Sequence, residues 1–141
     1  MTDNQKNPLA ASGLTLMQNI RRIRQGRRLT YVDLSDRLTD VGRRVPVLGL
    51  ARIERGERRV DVDDLVALAV ALRVSPLALL LPWADDQDTY VEITGAKVAP
   101  AGAVWAWADG QQPLTVSATD PDGDAIRFQL DSRPAWARRP Q

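Results

Sequence analysis

Leu50-Ala51-Arg52-Ile53-Glu54-Arg55-Gly56 is the stretch on which the reading of the fold turns. Leu50 and Ile53, three apart, share the inward side of a short helix over about residues 46–55, and Gly56 supplies the left-handed residue that closes it. Arg52 and Arg55 are left for the outer sides.

Working outward, the neighbouring segments carry helix punctuation of the same kind. Before it, Thr30 reads as an N-cap with Asp33 three residues on, and Leu29 and Leu34 are spaced as a hydrophobic staple. Leu34 and Leu38 form the buried side of that second helix. Further back, Leu16, Ile20 and Ile23 fall on one face of a first helix surrounded by Arg21, Arg22 and Arg24, and Gly26 is expected to be its left-handed stop. After the third helix, Asp61 with Asp64, and Val60 with Leu65, repeat the cap and staple of the second, leading into Leu68, Ala69 and Leu72. Ser75-Pro76 then predicts a fifth short helix over residues 77–81, ended by Pro82. Five helices joined by turns bury one core in about 65 residues, a modestly stable domain. The fold class is mainly α.

Charge divides the chain. Residues 14–60 hold twelve arginines against five acids, whereas residues 61–131 hold twelve acids against Arg73, Lys97 and Arg127, although the whole carries only +1. A basic half points to a polyanionic partner. With no cysteine and no histidine, disulfides, Cys/His zinc sites, thiol nucleophiles and imidazole acid–base chemistry are excluded. Lys6 and Lys97 have no supporting motif, so no enzyme activity, metal or cofactor is expected. The apolar run over residues 66–72 is far short of the roughly 20 residues that cross a bilayer, and the polar first eight residues are unlike a secretory signal. The expected location is cytoplasmic, with no membrane partner.

Together the helix order, the Ile53-Glu-Arg-Gly-Glu-Arg-Arg-Val-Asp-Val-Asp-Asp-Leu-Val-Ala-Leu-Ala69 run and the Val74-Ser-Pro-Leu-Ala-Leu-Leu-Leu-Pro82 run resemble the lambda-repressor and Cro type of helix-turn-helix domain, within it a group of bacterial regulators, over about residues 14–82. The resemblance implies a five-helix DNA-binding domain whose third helix lies in the major groove of a double-stranded operator, bound as a homodimer. Carried over by position, Val47, Leu48 and Arg52 would face bases. Arg52 is the strongest of the three, because a guanidinium bonds O6 and N7 of guanine together; a surface salt bridge is its plainer alternative. Val47 and Leu48 depart from the polar residues often found there, and are open to thymine methyl contact or to the core. Arg28, Thr30, Tyr31, Arg43, Arg44, Arg58 and Arg59 fit phosphate contacts, with Arg27 as an addition. Glu54 is expected to pair with Arg24 as a structural bridge.

Two departures bear on orientation. The segment from Leu38 to Leu50 is longer than the usual turn and first helical turn by about five residues, placed at 40–44, and Pro46 stands where a Ser or Thr cap is common. Residues 1–13 read as a flexible N-terminus. Residues 83–141 read as an acidic linker and a small α+β or irregular appendage: a short strand over 90–94 ending at Gly95, then a helix over 100–109 carrying Val104, Trp105 and Trp107, closed by Gly110. Asp120, Asp122, Asp124 and Asp131 have the spacing of a calcium loop, but Ala125 stands where that loop needs glycine, so an acidic turn or a helix start at Asp120 is preferred. Ile126, Phe128 and Leu130 alternate like a strand. The tail 133–141 is basic and broken by proline. The appendage, with Trp105, Trp107 and Trp136, is a candidate for a dimer contact or a protein-partner surface. The rival reading of the whole is a protein-interaction module, antitoxin-like or adaptor, acting through residues 83–141.

Overall fold

Most helix stops and half of the helix starts among the described residues follow two local devices, and both are visible atom by atom. In this computed structural model, which describes residues 8–116 and Trp136, the helices are α1 (Ala11–Gly26), α2 (Tyr31–Asp40), α3 (Val47–Glu54), α4 (Val62–Leu72), α5 (Pro76–Leu80) and α6 (Ala101–Ala108). A two-stranded antiparallel sheet of β1 (Tyr90–Val91) and β2 (Ala99–Pro100) precedes α6. The chain is mainly helical, and divides into two units, Met1–Trp83 and Ala84–Gln141. The calcium-like acidic turn, the 126–130 alternation, residues 1–7 and all of the tail except Trp136 lie outside the described residues.

The starting device is a side-chain oxygen on a free backbone N–H. At α2 it is a reciprocal box: the Thr30 hydroxyl accepts from the Asp33 N–H at 3.0 Å, and the Asp33 carboxylate accepts from the Thr30 N–H at 2.9 Å. Asp61 accepts from the Asp64 N–H at 2.7 Å to start α4, and Ser75 accepts from Ala78 at 3.2 Å to start α5, with Pro76 at its first position. The α4 cap is not a second reciprocal box. The Asp64 carboxylate is drawn to Arg43, 2.9 Å away, because an ion pair with a neighbouring guanidinium outweighs a bond to one N–H.

The stopping device is a residue in left-handed conformation whose neighbour's N–H reaches back five residues. Gly56, at φ 75°, closes α3: its N–H donates to the Ile53 carbonyl, and the Glu57 N–H donates to that of Arg52 at 2.8 Å. Gly42 closes α2 by the same pair of bonds. At α1 and α4 the left-handed residues are Arg28 (φ 57°) and Arg73 (φ 60°), with Leu29 donating to Arg24 and Val74 to Ala69. Gly26, expected as the stop of α1, is instead its last helical residue. The bond from Leu29 to Arg24 sets the end two residues later, where burying Leu29 against the core fixes the chain's exit.

The first unit closes over Leu16, Ile20, Ile23, Leu34, Leu38, Val45, Leu50, Ile53, Leu68, Ala69, Ala71, Leu72 and Leu79. Leu29, Val60 and Leu65, the outer members of the two staples, are half-buried against this cluster. Asn19 lies on the apolar face of α1, 3% exposed, and its amide donates to the carbonyls of Leu79 (2.9 Å) and Leu81 (2.8 Å). That satisfies two carbonyls at the end of α5, where the helix stops too soon to supply N–H partners for them. Leu81 is extended and buried, so the fifth helix ends one residue before the sequence places it.

In the second unit Tyr90 pairs with Pro100 and Val91 with Ala99. Asp86 ties the approach to β1 by accepting from the N–H groups of Asp88 and Thr89. Ala101 and Val104 are the buried residues of α6, while Trp105 is exposed. Among the described residues no helix is long and apolar enough to cross a membrane.

Candidate nucleic-acid interface

The third helix is short, with one side in the core and the other in solvent. Leu50 and Ile53 are each 1% exposed and Glu54 is also buried, whereas Val47 and Leu48, at 40% and 56%, face solvent together with Arg52. Leu48 and Arg52 are one helical turn apart and share a side. The connection from α2, residues 41–46, is longer than a three- or four-residue turn. Part of the expected insertion is absorbed by α2, which runs through Asp40. The rest is anchored: the Val45 side chain is wholly buried, and the Ser35 hydroxyl donates to the Val45 carbonyl at 2.7 Å. Pro46 precedes the helix without a side-chain cap, and its carbonyl accepts from the Leu50 N–H at 3.0 Å.

Beneath α3, Arg24 Nε and Nη2 donate to the two Glu54 oxygens at 2.6 and 3.0 Å. The Arg24 side chain is 11% exposed and that of Glu54 2%. The Tyr31 hydroxyl donates to Glu54 Oε1 at 3.1 Å, and the Arg24 guanidinium lies 4.3 Å over the Tyr31 ring. Arg24 Nη1 also donates to the Leu29 carbonyl. The cluster thus binds α1, α3 and the start of α2 at one point. The hydrogen bond to Glu54 raises the Arg24 pKa above its ordinary value despite burial.

Around this mount the arginines separate into two sets. Arg28, Arg44 and Arg59 are exposed, and so is Thr30 at the start of α2; its hydroxyl accepts from Asp33 and keeps its proton to donate. Arg58 is half-buried, 3.8 Å from Asp64, and lies against the α3 backbone at Gly49, where a Cβ would collide with the guanidinium. The other set is occupied inside the fold. Arg43, expected at a phosphate, donates to Asp64 (2.9 Å) and Asp61 (3.0 Å), and the bond to Asp64 raises its pKa. Tyr31, expected likewise, has its one hydroxyl proton on Glu54. Arg27 donates to the Leu72 carbonyl at 2.6 Å and Arg37 to that of Ala71 at 3.1 Å, at the negative end of α4. Arg55 pairs with Glu57 at 2.9 Å in the open, which raises the arginine and lowers the carboxyl.

The helix-turn-helix family model matches residues 20–79, which span the end of α1, all of α2, α3 and α4, and the greater part of α5. Residues 20–79 are a helix-turn-helix domain of the lambda-repressor and Cro type. No curated protein and no solved structure matches the chain. DNA binding is the activity of that family. Sequence reasoning missed several of the residues that hold this motif in place. Asn19 had a signal, since it interrupts the apolar face of α1 next to Ile20. The bonds of Arg27, Arg37 and Asp64 across the fold had none, because their partners lie on other elements, 21 to 45 residues away.

Proposed function

We propose that the protein is a sequence-specific transcriptional regulator of double-stranded DNA, most simply a cytoplasmic repressor that covers a promoter as a homodimer. The observation that carries this reading is the division of α3: Leu50, Ile53 and Glu54 are locked inward while Val47, Leu48 and Arg52 stand free on the outside. In this reading Arg52 reads guanine through O6 and N7, and Val47 and Leu48 meet thymine methyl groups. Arg28, Thr30, Arg44, Arg58 and Arg59 touch phosphates and set the register. Tyr31 and Arg43 act indirectly, by holding α3 and α4. The test is selection from a randomised duplex library by the full-length protein. The expected result is an enriched two-fold motif with half-sites about one helical turn apart; the absence of any enriched sequence would remove the proposal.

A second reading is supported by a specific observation. Val47 and Leu48 are apolar and exposed on the helix that ought to read bases, which also suits a protein-interaction module. Arg52→Ala separates the two. Base readout loses about 1–3 kcal/mol of affinity and relaxes at one position, whereas a partner captured through residues 83–141 is held as before.

A further inference from the structure

Inside a helix glycine is the least favourable residue after proline, yet α3, only eight residues long, has Gly49 as its third. Gly49 is not one of the glycines of positive φ, so no backbone conformation asks for it. Space does. A Cβ added there would overlap Nη1 of the Arg58 guanidinium and come within 3.2 Å of a Val45 methyl.

Arg58 reaches this gap from the loop that follows Gly56. Its backbone N–H donates to the Arg52 carbonyl at 3.3 Å. Its Nη2 lies 3.8 Å from the carboxylate of Asp64, a side chain 5% exposed and itself bonded by Arg43 Nε at 2.9 Å. The guanidinium is thus held between bare α3 backbone and a buried anion, and the side chain remains 37% exposed. Arg28, Arg44 and Arg59, by contrast, are exposed and have no ion-pair partner among the described residues.

From this contrast we infer that Gly49 is a positioning residue: it keeps open the gap in which Arg58 is set in place before DNA arrives. The inference rests on the DNA-binding function proposed above and deepens it. Gly49 is three residues from the outward Arg52 and four from the inward Ile53, so it lies at the margin between the two sides of α3. A cation fixed at that margin meets the phosphate backbone beside the base edges that Arg52 reads. An arginine already ordered loses less side-chain freedom on contact than one free in solvent, which strengthens the contact. Filling the gap therefore weakens binding without weakening the fold.

The test compares full-length Gly49→Ala, Arg58→Gln and the double variant with the unsubstituted protein, in thermal melts and in fluorescence anisotropy on the selected operator over a salt series. A methyl at position 49 pushes aside the flexible end of Arg58 at little cost, and alanine suits a helix better than glycine. Gly49→Ala should accordingly melt at the same temperature or higher. Its affinity should nevertheless fall several-fold, nearly as far as that of Arg58→Gln. Each single variant should also reduce the salt slope by about 0.9 for each bound protomer. In the Arg58→Gln background the same methyl should change affinity by less than about twofold, because the group through which it acts is gone. Gly49→Ala with affinity and slope intact overturns the inference, and so does Arg58→Gln with both intact. An equal loss of affinity in both backgrounds would mean that the methyl meets the duplex itself. A lower melting temperature in both would mean that the glycine serves the packing of Val45. Either result overturns the positioning role while leaving DNA binding in place, whereas an unsubstituted protein that selects no duplex refutes the DNA-binding proposal itself.

Discussion

Glu54 is the residue on which the mounting of α3 most depends. It is buried on α3, bonded twice by Arg24 and once by Tyr31. Removing its charge strands the Arg24 guanidinium, and breaking a buried pair from one side costs about 3–5 kcal/mol. Glu54→Gln keeps some of the hydrogen bonding, so a loss of about 3 kcal/mol is expected, a fall in Tm of more than about 10 °C for so small a domain. A melting curve superimposable on that of the unsubstituted protein would dismiss the cluster as the mount of α3. Asp33 makes a different prediction because it titrates in an accessible range. The Thr30 backbone N–H, then its hydroxyl, hold the Asp33 carboxyl below its ordinary 3.8. A carboxyl depressed by folding contributes all of its stability above the unfolded value and loses it as pH falls through the folded one. Stability should therefore decline below about pH 4, with Glu57, lowered by Arg55, adding to the same acid limb. Asp33→Asn should flatten that limb and lower stability at neutral pH; an unaltered acid limb in thermal melts would mean that the box does not couple to folding.

Helix beginnings are written in adjacent residues and helix ends only partly so, which is why the elements were legible to different degrees. A cap lies three residues from the N–H it serves, so Thr30, Asp61 and Ser75 disclose α2, α4 and α5 directly. A left-handed stop is legible when glycine occupies it, as at Gly56, and misleading when it does not. At the end of α1 glycine is two positions early, and Arg28 carries the positive φ. An arginine held there costs about 1 kcal/mol relative to glycine, and in the proposed complex its guanidinium lies at a phosphate. Such strain is commonly retained where it serves a site. Arg28→Gly should accordingly move two quantities in opposite directions. Folding stability by denaturant titration should rise by about 1 kcal/mol, and operator affinity should fall, with a shallower salt dependence. Stability and affinity both unchanged would leave Arg28 with neither role.

At the scale of the whole molecule, the sequence disclosed a basic half but could not say which arginines are free. Composition counts twelve between residues 14 and 60. The fold spends Arg24, Arg27, Arg37 and Arg43 on Glu54, the end of α4 and its start. These pairings join residues distant in sequence, and no local pattern encodes them. Of the eight not held in this way, the proposed complex places Arg28, Arg44, Arg58 and Arg59 at phosphates, about eight contacts in a dimer, and each neutralised phosphate adds about −0.9 to the slope of log affinity against log salt. The expected slope is about −7, a loss of roughly four orders of magnitude in affinity between 50 and 200 mM salt. Arg44→Gln should reduce that slope by about 2, once for each protomer, and leave the preferred operator sequence unchanged, since a phosphate contact carries no sequence information. Arg43→Gln should behave otherwise, lowering Tm through the loss of Asp61 and Asp64 contacts. Fluorescence anisotropy over a salt series with both variants decides the matter: a slope near −7 that Arg44→Gln leaves untouched would mean that the duplex lies against another face of the domain.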